Sequence, residues 1–357
     1  MVLFLDSNSH VQLTTKALNA YAEYNKSIYG TSNPMSNSGL GRLSASKIEE
    51  SRSKIAKLLG VNSNQIYFTS SGTQACEWGL KILKSRNFSK VFYSTVEHKS
   101  ISSNIIEMFG SNDLYTSKDG IVACTINQGP NTAYICIHAH NEIGTIQKIE
   151  SIPVPFFTDI SQSVGKIPLN LSLLKNLKIA AFGGHKFGGS SSVGVLYIQD
   201  HSWWKELDSN NRYNFDRAGT PDTGAIIATA TALEEAVISI PKRYENALVF
   251  RSVIESGLKE LGFNIIGENS NRMPYTTFAY IGNKRGAFLM EHLESCGIYI
   301  GLGSACNSLT KKASETMMAL GNGGNISDYV RISQWGNYGE VEAKQVINTI
   351  KKYCARS

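Results

Sequence analysis

The sequence predicts an α/β protein with a mostly parallel sheet, followed by a smaller α+β region. Short apolar, β-rich runs alternate with helical patterns through the first two thirds of the chain, as strands and crossover helices do in parallel sheets. A long helical stretch and a second set of strands come after them. The strand candidates of the first region are 65–69, 90–93, 134–137, 156–158, 178–182 and 193–198.

The helical stretch begins after Asp222. It covers 225–240, is interrupted at Pro241, which removes a backbone donor, and resumes through 261. Beyond it, strands are expected at 263–266, 276–281, 297–300 and 329–333. Because 357 residues exceed the size at which a single core usually suffices, we expect two domains. The large α/β domain would cover 13–235, and the small domain would combine 1–12 with 236–357.

Composition and charge describe a globular enzyme. Hydrophobic residues make up 42% of the chain and charged residues 18%, which excludes disordered and fibrous classes. The net charge of +6 is spread along the chain and fits an anionic cofactor or an acidic partner. No nucleic-acid motif accompanies it, so we expect no direct nucleic-acid binding. No run approaches the roughly 20 apolar residues of a membrane span, so we expect no membrane association.

The amino terminus and the cysteine pattern predict a cytoplasmic protein. The start MVLFLDSNSH has no basic segment, and its apolar run is too short for a signal peptide. The six cysteines form no CxxC pair and no zinc-ligand spacing. We therefore expect neither a disulfide framework nor a bound metal.

Lys186 lies among glycines in AAFGGHKFGG, directly after the apolar run 179–182. This pattern is typical of a buried strand that enters a tight turn. Burial at that place would favour a nucleophilic amine, so Lys186 is a candidate for a lysine that forms a Schiff base. The alternative is an ordinary turn with an incidental surface lysine.

The segment FTSSGTQACEWGLKIL combines an apolar strand, a small-residue turn and a helical pattern. Gly72 and Thr73 would lie at the helix amino terminus, where unpaired amides and a partial positive charge favour a phosphate. A Walker lysine and a GxGxxG pattern are missing, which disfavours nucleoside triphosphates and dinucleotides. A simple helix cap remains the alternative.

Three further polar residues follow strand candidates. Asp159 ends an apolar strand, and its buried carboxylate would need a cationic partner such as a protonated pyridine nitrogen. His98 in STVEHKS could stack on a ring or transfer a proton, and Asn141 follows another strand. Each could instead be a cap or loop residue. Together with Lys186 they meet the requirements of pyridoxal phosphate at one edge of a sheet.

These residues belong to segments that resemble the class V aminotransferase family of fold type I pyridoxal-phosphate enzymes, and within it the cysteine desulfurases. The resemblance runs nearly end to end. It rests on 29–34, FTSSGT, VEHKS, HNEIGT, DISQSVGKIPLNL, GGHKFGG, RAGTPD, GSACNS and VRIS. It implies a seven-stranded-type, mostly parallel sheet sandwiched by helices, with the smaller α+β domain at the carboxyl end.

The resemblance also implies a role for each matching residue. Lys186 would hold the cofactor, His98 would stack on its ring, and Asp159 would meet the pyridine nitrogen. The other cofactor contacts would be Gln162 and Asn141 on the hydroxyl side, and Gly72, Thr73, Gly183, Gly184 and His185 around the phosphate. Thr220 would reach the phosphate of the neighbouring subunit, which implies a homodimer with shared active sites.

For the substrate, the resemblance implies that Arg331 would bind the carboxylate next to Asn141. It also implies that Cys306 would be the nucleophile. Cys306 in GSACNS follows small residues that would let its thiol move between substrate and acceptor. The implied reaction converts L-cysteine to L-alanine and leaves a persulfide on Cys306 for an accepting protein. Iron-sulfur assembly and nucleic-acid thiolation both draw on such a persulfide.

Two readings compete with this one. The chain could be another class V enzyme, an aminotransferase or a selenocysteine lyase, or a non-catalytic subunit of a sulfur network. The chain also departs from the family pattern: Gly183 stands where a serine is frequent, and DSNSHVQ, with His10, replaces a small, threonine-rich segment near the substrate. It ends at Ser357, without the longer tail with which some relatives dock a scaffold, and this leaves the delivery partner open.

Overall fold

Twelve strands and ten helices make up the regular structure of this computed structural model, which describes residues 2–125, 129–207, 216, 219–283, 285–303, 315–320 and 325–355. The strands are β1 Leu3–Leu5, β2 Ile66–Thr69, β3 Lys90–Ser94, β4 Asp113–Leu114, β5 Thr132–Ile135, β6 Phe156–Asp159, β7 Leu177–Gly183, β8 Gly194–Ile198, β9 Asn264–Ile265, β10 Thr276–Tyr280, β11 Ile298–Ile300 and β12 Tyr329–Ser333. The helices are α1 Thr15–Lys26, α2 Gly39–Leu59, α3 Gly72–Ser85, α4 Lys99–Phe109, α5 His201–Leu207, α6 Thr223–Ile238, α7 Ile240–Glu260, α8 Arg285–Ser295, α9 Glu315–Ala319 and α10 Glu340–Cys354.

Seven strands form the central sheet in the order β2-β8-β7-β6-β5-β3-β4. Its neighbouring strands are parallel except for β8, which runs antiparallel to β2 and to β7. Strands β2, β5, β6 and β8 are buried along their whole length, because helices cover both faces. The predicted α/β class with a mostly parallel, seven-stranded sheet is confirmed.

Alternation along β7 shows how the two faces are filled. Ile179 and Ala181 pack with apolar residues of α3, α4 and α5, whereas Ala180 and Phe182 pack with those of α1, α2 and α6. Because successive side chains of a strand point to opposite faces, one continuous apolar run serves both helix layers. The buried faces fix β7 rigidly, and with it the turn that carries Lys186.

A second core lies around two smaller sheets. The first pairs β1 with β11 in parallel, and the second has the antiparallel order β12-β10-β9. Residues of α7, α8 and α10 pack against both sheets in one apolar cluster. The first strand of the chain, β1, therefore belongs to the sheets of the carboxyl-terminal region. The domain boundaries at 12/13 and 235/236 stay a prediction.

The bounds of several predicted elements differ in the structure. The ten predicted strands occur within one or two residues of the expected bounds. The sequence analysis does not predict β1 and β4, which are 3 and 2 residues long. The predicted helix break at Pro241 is wrong by two residues. It falls at Ser239, since Pro241 lies in the first turn of α7, where no intrahelical donor is needed.

No single helix in the described ranges has both the length and the apolar character needed to cross a bilayer. Helices α6 and α7 reach that length and apolar character only when they are taken together, and they are bent by 67° relative to each other. The described cysteines, at positions 76, 124, 136, 296 and 354, are all free thiols.

Candidate active site

A cavity of about 230 Å³ lies at the carboxyl edge of the central sheet. Strands β2, β3, β5, β6 and β7 each send the following turn to this edge, which is where open α/β sheets bind their ligands. The predicted residues that line the cavity are Gly72, Thr73, His98, Asn141, Asp159, Gln162, Gly183, His185, Lys186 and Arg331. Most of these residues follow strands of the central sheet, whose parallel course brings them together, whereas Arg331 comes from β12 in a separate sheet.

Three other predicted residues stand apart from this cavity. Gly184 is buried behind it against α6, where an added Cβ would lie 2.7 Å from the Ser190 carbonyl oxygen and 2.9 Å from Thr229 Cγ2. Thr220 is exposed and lines no part of the cavity. Cys306 lies outside the described residues.

Lys186 is held by a short 3-10 turn directly after β7. Its Nζ donates hydrogen bonds to the carbonyl oxygens of Asn8 and Ser9, both at 2.8 Å. Gly188 adopts a left-handed conformation with φ of +90°, and a Cβ there would lie 2.6 Å from Thr14 Cγ2. The turn thus needs glycine at position 188, where it packs against the amino-terminal segment. In this turn the Lys186 side chain lines the cavity.

Asp159 ends β6 and is only 5% exposed. Its Oδ1 accepts a hydrogen bond from the Ser161 amide at 2.8 Å, and the Cys76 thiol lies 4.0 Å from Oδ2. Burial and the nearby Asp159 carboxylate raise the pKa of Cys76, so this side chain remains a thiol. No Lys, Arg or His in the described ranges forms an ion pair with Asp159. The carboxylate therefore suits a cationic ring nitrogen in the cavity.

His98 is the amino-terminal cap of α4. Its Nδ1 accepts a hydrogen bond from the Ser100 amide at 3.1 Å, which places the proton of the neutral ring on Nε2. Burial lowers the pKa of His98; Asp159 acts in the opposite direction, and Lys186 and Arg331 lower the pKa further. The ring is therefore neutral near pH 7, and it lines the cavity.

The phosphate end of the cavity combines a helix terminus with two glycines. Ser71 caps α3 by accepting a hydrogen bond from Gln74 N at 3.1 Å, while the amides of the first turn lack intrahelical acceptors. A Cβ on Gly72 would lie 3.0 Å from Gly183 Cα, so the close approach of the two backbones depends on glycine at position 72. Thr73 adds a hydroxyl at the same place.

His185 Nδ1 is buried without a hydrogen-bond partner in the part of the chain that the structure describes. Burial, followed by the nearby Lys186, lowers the pKa of His185 to about 3, so the ring is neutral. An anion at the α3 terminus would satisfy this atom. His10 does not line the cavity; it is exposed and stacks on His185 with 5.5 Å between ring centroids.

Arg331 approaches the cavity from β12 and is 1% exposed. Its Nη2 donates to Asp6 Oδ1 at 2.6 Å and its Nη1 to the Asn141 carbonyl oxygen at 3.2 Å. Its Nε is buried and has no partner among the described residues. Asp6 fixes and partly neutralises the guanidinium, and the remaining donor suits a carboxylate ligand.

Sequence reasoning missed Asn8 and Cys76, which also line the cavity. Within DSNSHVQ the sequence analysis points to His10, because its ring is titratable, whereas the residue that lines the cavity is Asn8. The signal that would have identified Asn8 is the strand before it: β1 ends at Leu5, so the next residues continue towards the same edge as Arg331.

These features fit pyridoxal phosphate. The structure offers an amine on Lys186, a carboxylate on Asp159 without a cationic partner in the described ranges, a neutral ring on His98 and an anion cradle with one unsatisfied His185 nitrogen. No cluster of three or more metal-ligating side chains occurs among the described residues.

Comparisons with known proteins agree with this geometry. The sequence model of the class-V aminotransferases matches residues 3–343. Two proteins named cysteine desulfurase IscS, from Dictyoglomus turgidum and Methanosarcina thermophila, are each 30% identical; each match covers 89% of this chain, and 85% and 83% of theirs. A solved structure titled NifS-like protein superposes with a TM-score of 0.86 at 25% identity, with both chains fully covered. The chain therefore belongs to the class-V aminotransferase family, in which pyridoxal phosphate is the cofactor.

Proposed function

We propose that this protein is a cysteine desulfurase, which removes sulfur from L-cysteine, releases L-alanine and retains the sulfur as a persulfide on Cys306. The observation that carries this proposal is the convergence of Lys186, Asp159 and Arg331 on one cavity. An amine, a carboxylate for a pyridine nitrogen and a carboxylate-binding guanidinium are the groups that pyridoxal-phosphate chemistry on an amino acid requires. The named relatives are cysteine desulfurases, which supports cysteine as that amino acid.

Binding and orientation of the substrate are assigned to the side of the cavity formed by β12. Arg331 would receive the substrate carboxylate, since its buried Nε lacks a partner in the described ranges and Asp6 holds its plane in place. Asn141 supports the same guanidinium through its carbonyl oxygen. With the carboxylate fixed, the amino group and Cα of the substrate are directed towards the sheet edge.

Proton handling is assigned to Lys186. When bound, pyridoxal phosphate would supply an electron sink for the Cα of the substrate. The Lys186 amine, in its free form, would remove the Cα proton and later return a proton to the product. The carbonyl oxygens of Asn8 and Ser9 give the amine a defined position. Asp159 would keep a ring nitrogen of the cofactor protonated, and the neutral His98 ring would stack on the cofactor ring.

The sulfur step is assigned to Cys306. The chain leaves the described region at Gly303, and Gly301 pairs with the backbone of Arg331 at the substrate side of the cavity. Cys306 follows Gly301 by five residues, a reach of about 17 Å in an extended chain. Its thiolate would attack the substrate sulfur, so that the carbon–sulfur bond breaks and a sulfur–sulfur bond forms. One thiol and one L-cysteine give one persulfide and one L-alanine, and the atoms balance without an oxidant.

Product analysis of cysteine variants tests this proposal. With L-cysteine and a thiol reductant, the wild type should release alanine and sulfide in equal amounts, and Cys306→Ala should bind the cofactor but release no sulfide. Cys296→Ala, which removes an exposed free thiol, is the matched control and should keep wild-type turnover. Full sulfide release by Cys306→Ala contradicts the proposal, and an α-keto acid product would indicate an aminotransferase instead.

We further propose a homodimer with shared active sites. Exposed apolar side chains at Leu18, Ile28, Tyr29 and Leu43 lie on α1, α2 and the turn between them, beside the α6 helix that Thr220 precedes. When Lys186→Ala and Thr220→Ala subunits are co-expressed, they form hybrid dimers. One site of each hybrid then combines the intact Lys186 of one subunit with the intact Thr220 of the other. Activity in the mixture, with little in either parent, supports the proposal; independent parental activities in the mixture contradict it.

The sulfur acceptor is expected to be a protein, which would pass sulfur to iron-sulfur assembly or to nucleic-acid thiolation. A cytoplasmic location is in keeping with the free thiols of the described cysteines. Capture of persulfide-carrying partners by the wild type, compared with Cys306→Ser, identifies the acceptor, and an empty capture in both would argue against a protein acceptor.

A further inference from the structure

Lys166 is a buried lysine that the proposed reaction does not use. It is 1% exposed and lies in the turn after β6, four residues beyond Gln162. No Asp or Glu in the described ranges lies within ion-pair distance of its Nζ. Burial lowers the pKa of Lys166, and Lys186, Arg331 and Arg243 lower it further. An amine of this kind costs folding free energy, so its presence calls for a role.

The contacts of Lys166 lead towards the cavity. Its Nζ donates to Gln162 Oε1 at 2.6 Å, and Asn8 Oδ1 lies at 3.5 Å. The ring centroid of Trp335 is 5.5 Å from the same nitrogen. The strongest of these contacts is therefore with a residue that lines the cavity.

The contacts of Gln162 decide which end of its amide faces which neighbour. The Lys166 amine carries donor hydrogens in either protonation state and donates to the amide oxygen, whereas the Asn8 carbonyl oxygen can only accept and therefore faces the NH₂ group. In this orientation Gln162 Nε2 donates to the Asn8 carbonyl oxygen at 2.9 Å. An amide nitrogen carries two hydrogens, and the second remains for a ligand in the cavity. If the amide were reversed, two donors would meet at Lys166 and an acceptor would face the Asn8 carbonyl.

Asn8 connects Gln162 to other residues of the cavity wall through hydrogen bonds. Its side-chain nitrogen donates to Thr276 Oγ1 at 2.8 Å and to the Asn141 carbonyl oxygen at 3.1 Å. Its carbonyl oxygen accepts from both Gln162 and Lys186. The side-chain oxygen of Asn8 is therefore turned towards Lys166. The amide oxygens of Asn8 and Gln162 thus both face the Lys166 amine.

We propose that Lys166 is a positioning residue of the cofactor site: it locks the Gln162 amide so that the NH₂ group faces the cavity and donates to the oxygen on the hydroxyl side of the pyridoxal ring. This inference rests on the cofactor contact proposed above for Gln162. Lys166 acts through Gln162 and does not itself line the cavity.

The test compares Lys166→Met with the wild type, using the full-length protein with and without pyridoxal phosphate. Methionine keeps the length and packing against Trp335 but removes the amine. We expect the thermal midpoint of the cofactor-free protein to stay equal or rise, because a buried amine without a carboxylate partner in the described ranges is gone. The dissociation constant of pyridoxal phosphate should rise about fivefold to tenfold, the effect of one misdirected hydrogen bond, and the visible absorption band of the bound cofactor should shift.

Arg243→Met is the matched control. Arg243 places its Cζ 4.0 Å from the centroid of the same Trp335 ring, but among the described residues no hydrogen bond joins it to Gln162 or Asn8. We expect this variant to bind pyridoxal phosphate as the wild type does. A double-mutant cycle with Gln162→Met adds the second criterion: once Gln162 is replaced, Lys166→Met should weaken cofactor binding no further.

The outcomes separate the two proposals. If the wild type fails to bind pyridoxal phosphate, the proposed function itself is wrong. If the wild type binds but Lys166→Met binds equally well, or weakens binding by the same factor with and without Gln162, the positioning role is wrong and the proposed function stands. A Lys166→Met protein that fails to fold, or melts well below the wild type, also overturns the inference, since it would make Lys166 a structural residue.

Discussion

The two walls of the cavity are built in different ways. The sheet wall consists of Gly72, His98, Asp159 and Lys186, each placed by the turn after a strand of the central sheet. The opposite wall joins Asn8, which follows β1, to Arg331 in β12, and the Asp6–Arg331 ion pair links positions 325 residues apart. Topology alone assembles the first wall, whereas side-chain contacts between distant segments assemble the second.

This difference separates cofactor chemistry from substrate choice. Helices on both faces of the central sheet fix the turns that carry the sheet wall, so the cofactor groups are held before any ligand arrives. The opposite wall depends on one ion pair and on the Asn8 amide. Changes in the sheet wall should therefore abolish cofactor binding or chemistry, and changes in the Asp6–Arg331 pair of the opposite wall should alter substrate binding while the cofactor remains.

Lys186→Ala is expected to have the largest effect. Loss of the amine removes both the covalent attachment of the cofactor and the proton acceptor, so desulfurase activity should fall about 10⁴-fold. The absorbance of purified protein before and after borohydride reports the attachment. Lys178→Ala is the control, since Lys178 lies on the same strand and donates to Gln199 at 2.6 Å. Retained covalent cofactor in Lys186→Ala would contradict the assignment.

Arg331→Lys should separate the two walls. A lysine keeps the charge but loses the planar donors, so the KM for L-cysteine should rise about 30-fold, with the cofactor spectrum unchanged. Steady-state kinetics and an absorbance titration with pyridoxal phosphate measure both quantities. Asp6→Asn, which removes the partner of Arg331, should raise KM less and in the same direction. A loss of cofactor binding in Arg331→Lys would show that the walls are not separable.

Glu97→Gln is expected to stabilise the protein in a pH-dependent way. Burial raises the pKa of Glu97 to about 8; the Ile137 amide, which donates to Oε1 at 2.6 Å, opposes this, and Asp159 adds to it. The folded state thus keeps a proton that the unfolded state releases above about pH 4.5, and stability falls as pH rises from there to about 8. Glutamine mimics the protonated form and removes this decline.

Thermal midpoints of Glu97→Gln and the wild type should therefore nearly coincide at pH 5 and diverge by pH 8, with the variant more stable. The buried histidines act in the opposite direction: the pKa of His138 is lowered to about 4 and that of His140 to about 3, so protons taken up by the unfolded state destabilise both proteins equally below about pH 6.5. A midpoint difference that does not depend on pH would contradict a protonated Glu97.

Cys76→Ala should have the smallest effect. The thiol is a weak donor at 4.0 Å from Asp159 Oδ2, while the carboxylate keeps the Ser161 amide. We expect about a twofold loss of cofactor affinity, the scale of a weak hydrogen bond. A titration with pyridoxal phosphate checks this, with the exposed-thiol variant Cys296→Ala as control. Loss of the cofactor in Cys76→Ala would mean that Asp159 is not held by its backbone contact.

The sheet wall could be predicted from the sequence because its residues follow apolar strands. Asp159 and Lys186 come directly after runs whose pattern predicts buried strands, and parallel strands end at one edge. The opposite wall could be predicted only in part. Arg331 was found through its resemblance to a family motif, while its partner Asp6 follows a three-residue strand that pairs with β11 almost 300 residues later.

Lys166 shows the physical limit most clearly. In the sequence it is one lysine in SQSVGK, and nothing local distinguishes a solvated amine from a buried one. Its burial arises because Gly165, at φ of +68°, folds the turn onto α6, and Trp335 lies against its amine. Such non-local contacts do not follow from periodicity or motif spacing.

Mass spectrometry of the protein after a short incubation with L-cysteine tests the central claim most directly. Our account predicts one added sulfur atom on the peptide that contains Cys306, formed together with one alanine per subunit and absent in Lys186→Ala. Alanine formation with Cys306 unmodified, or sulfur distributed equally between Cys306 and the exposed Cys296, would contradict it.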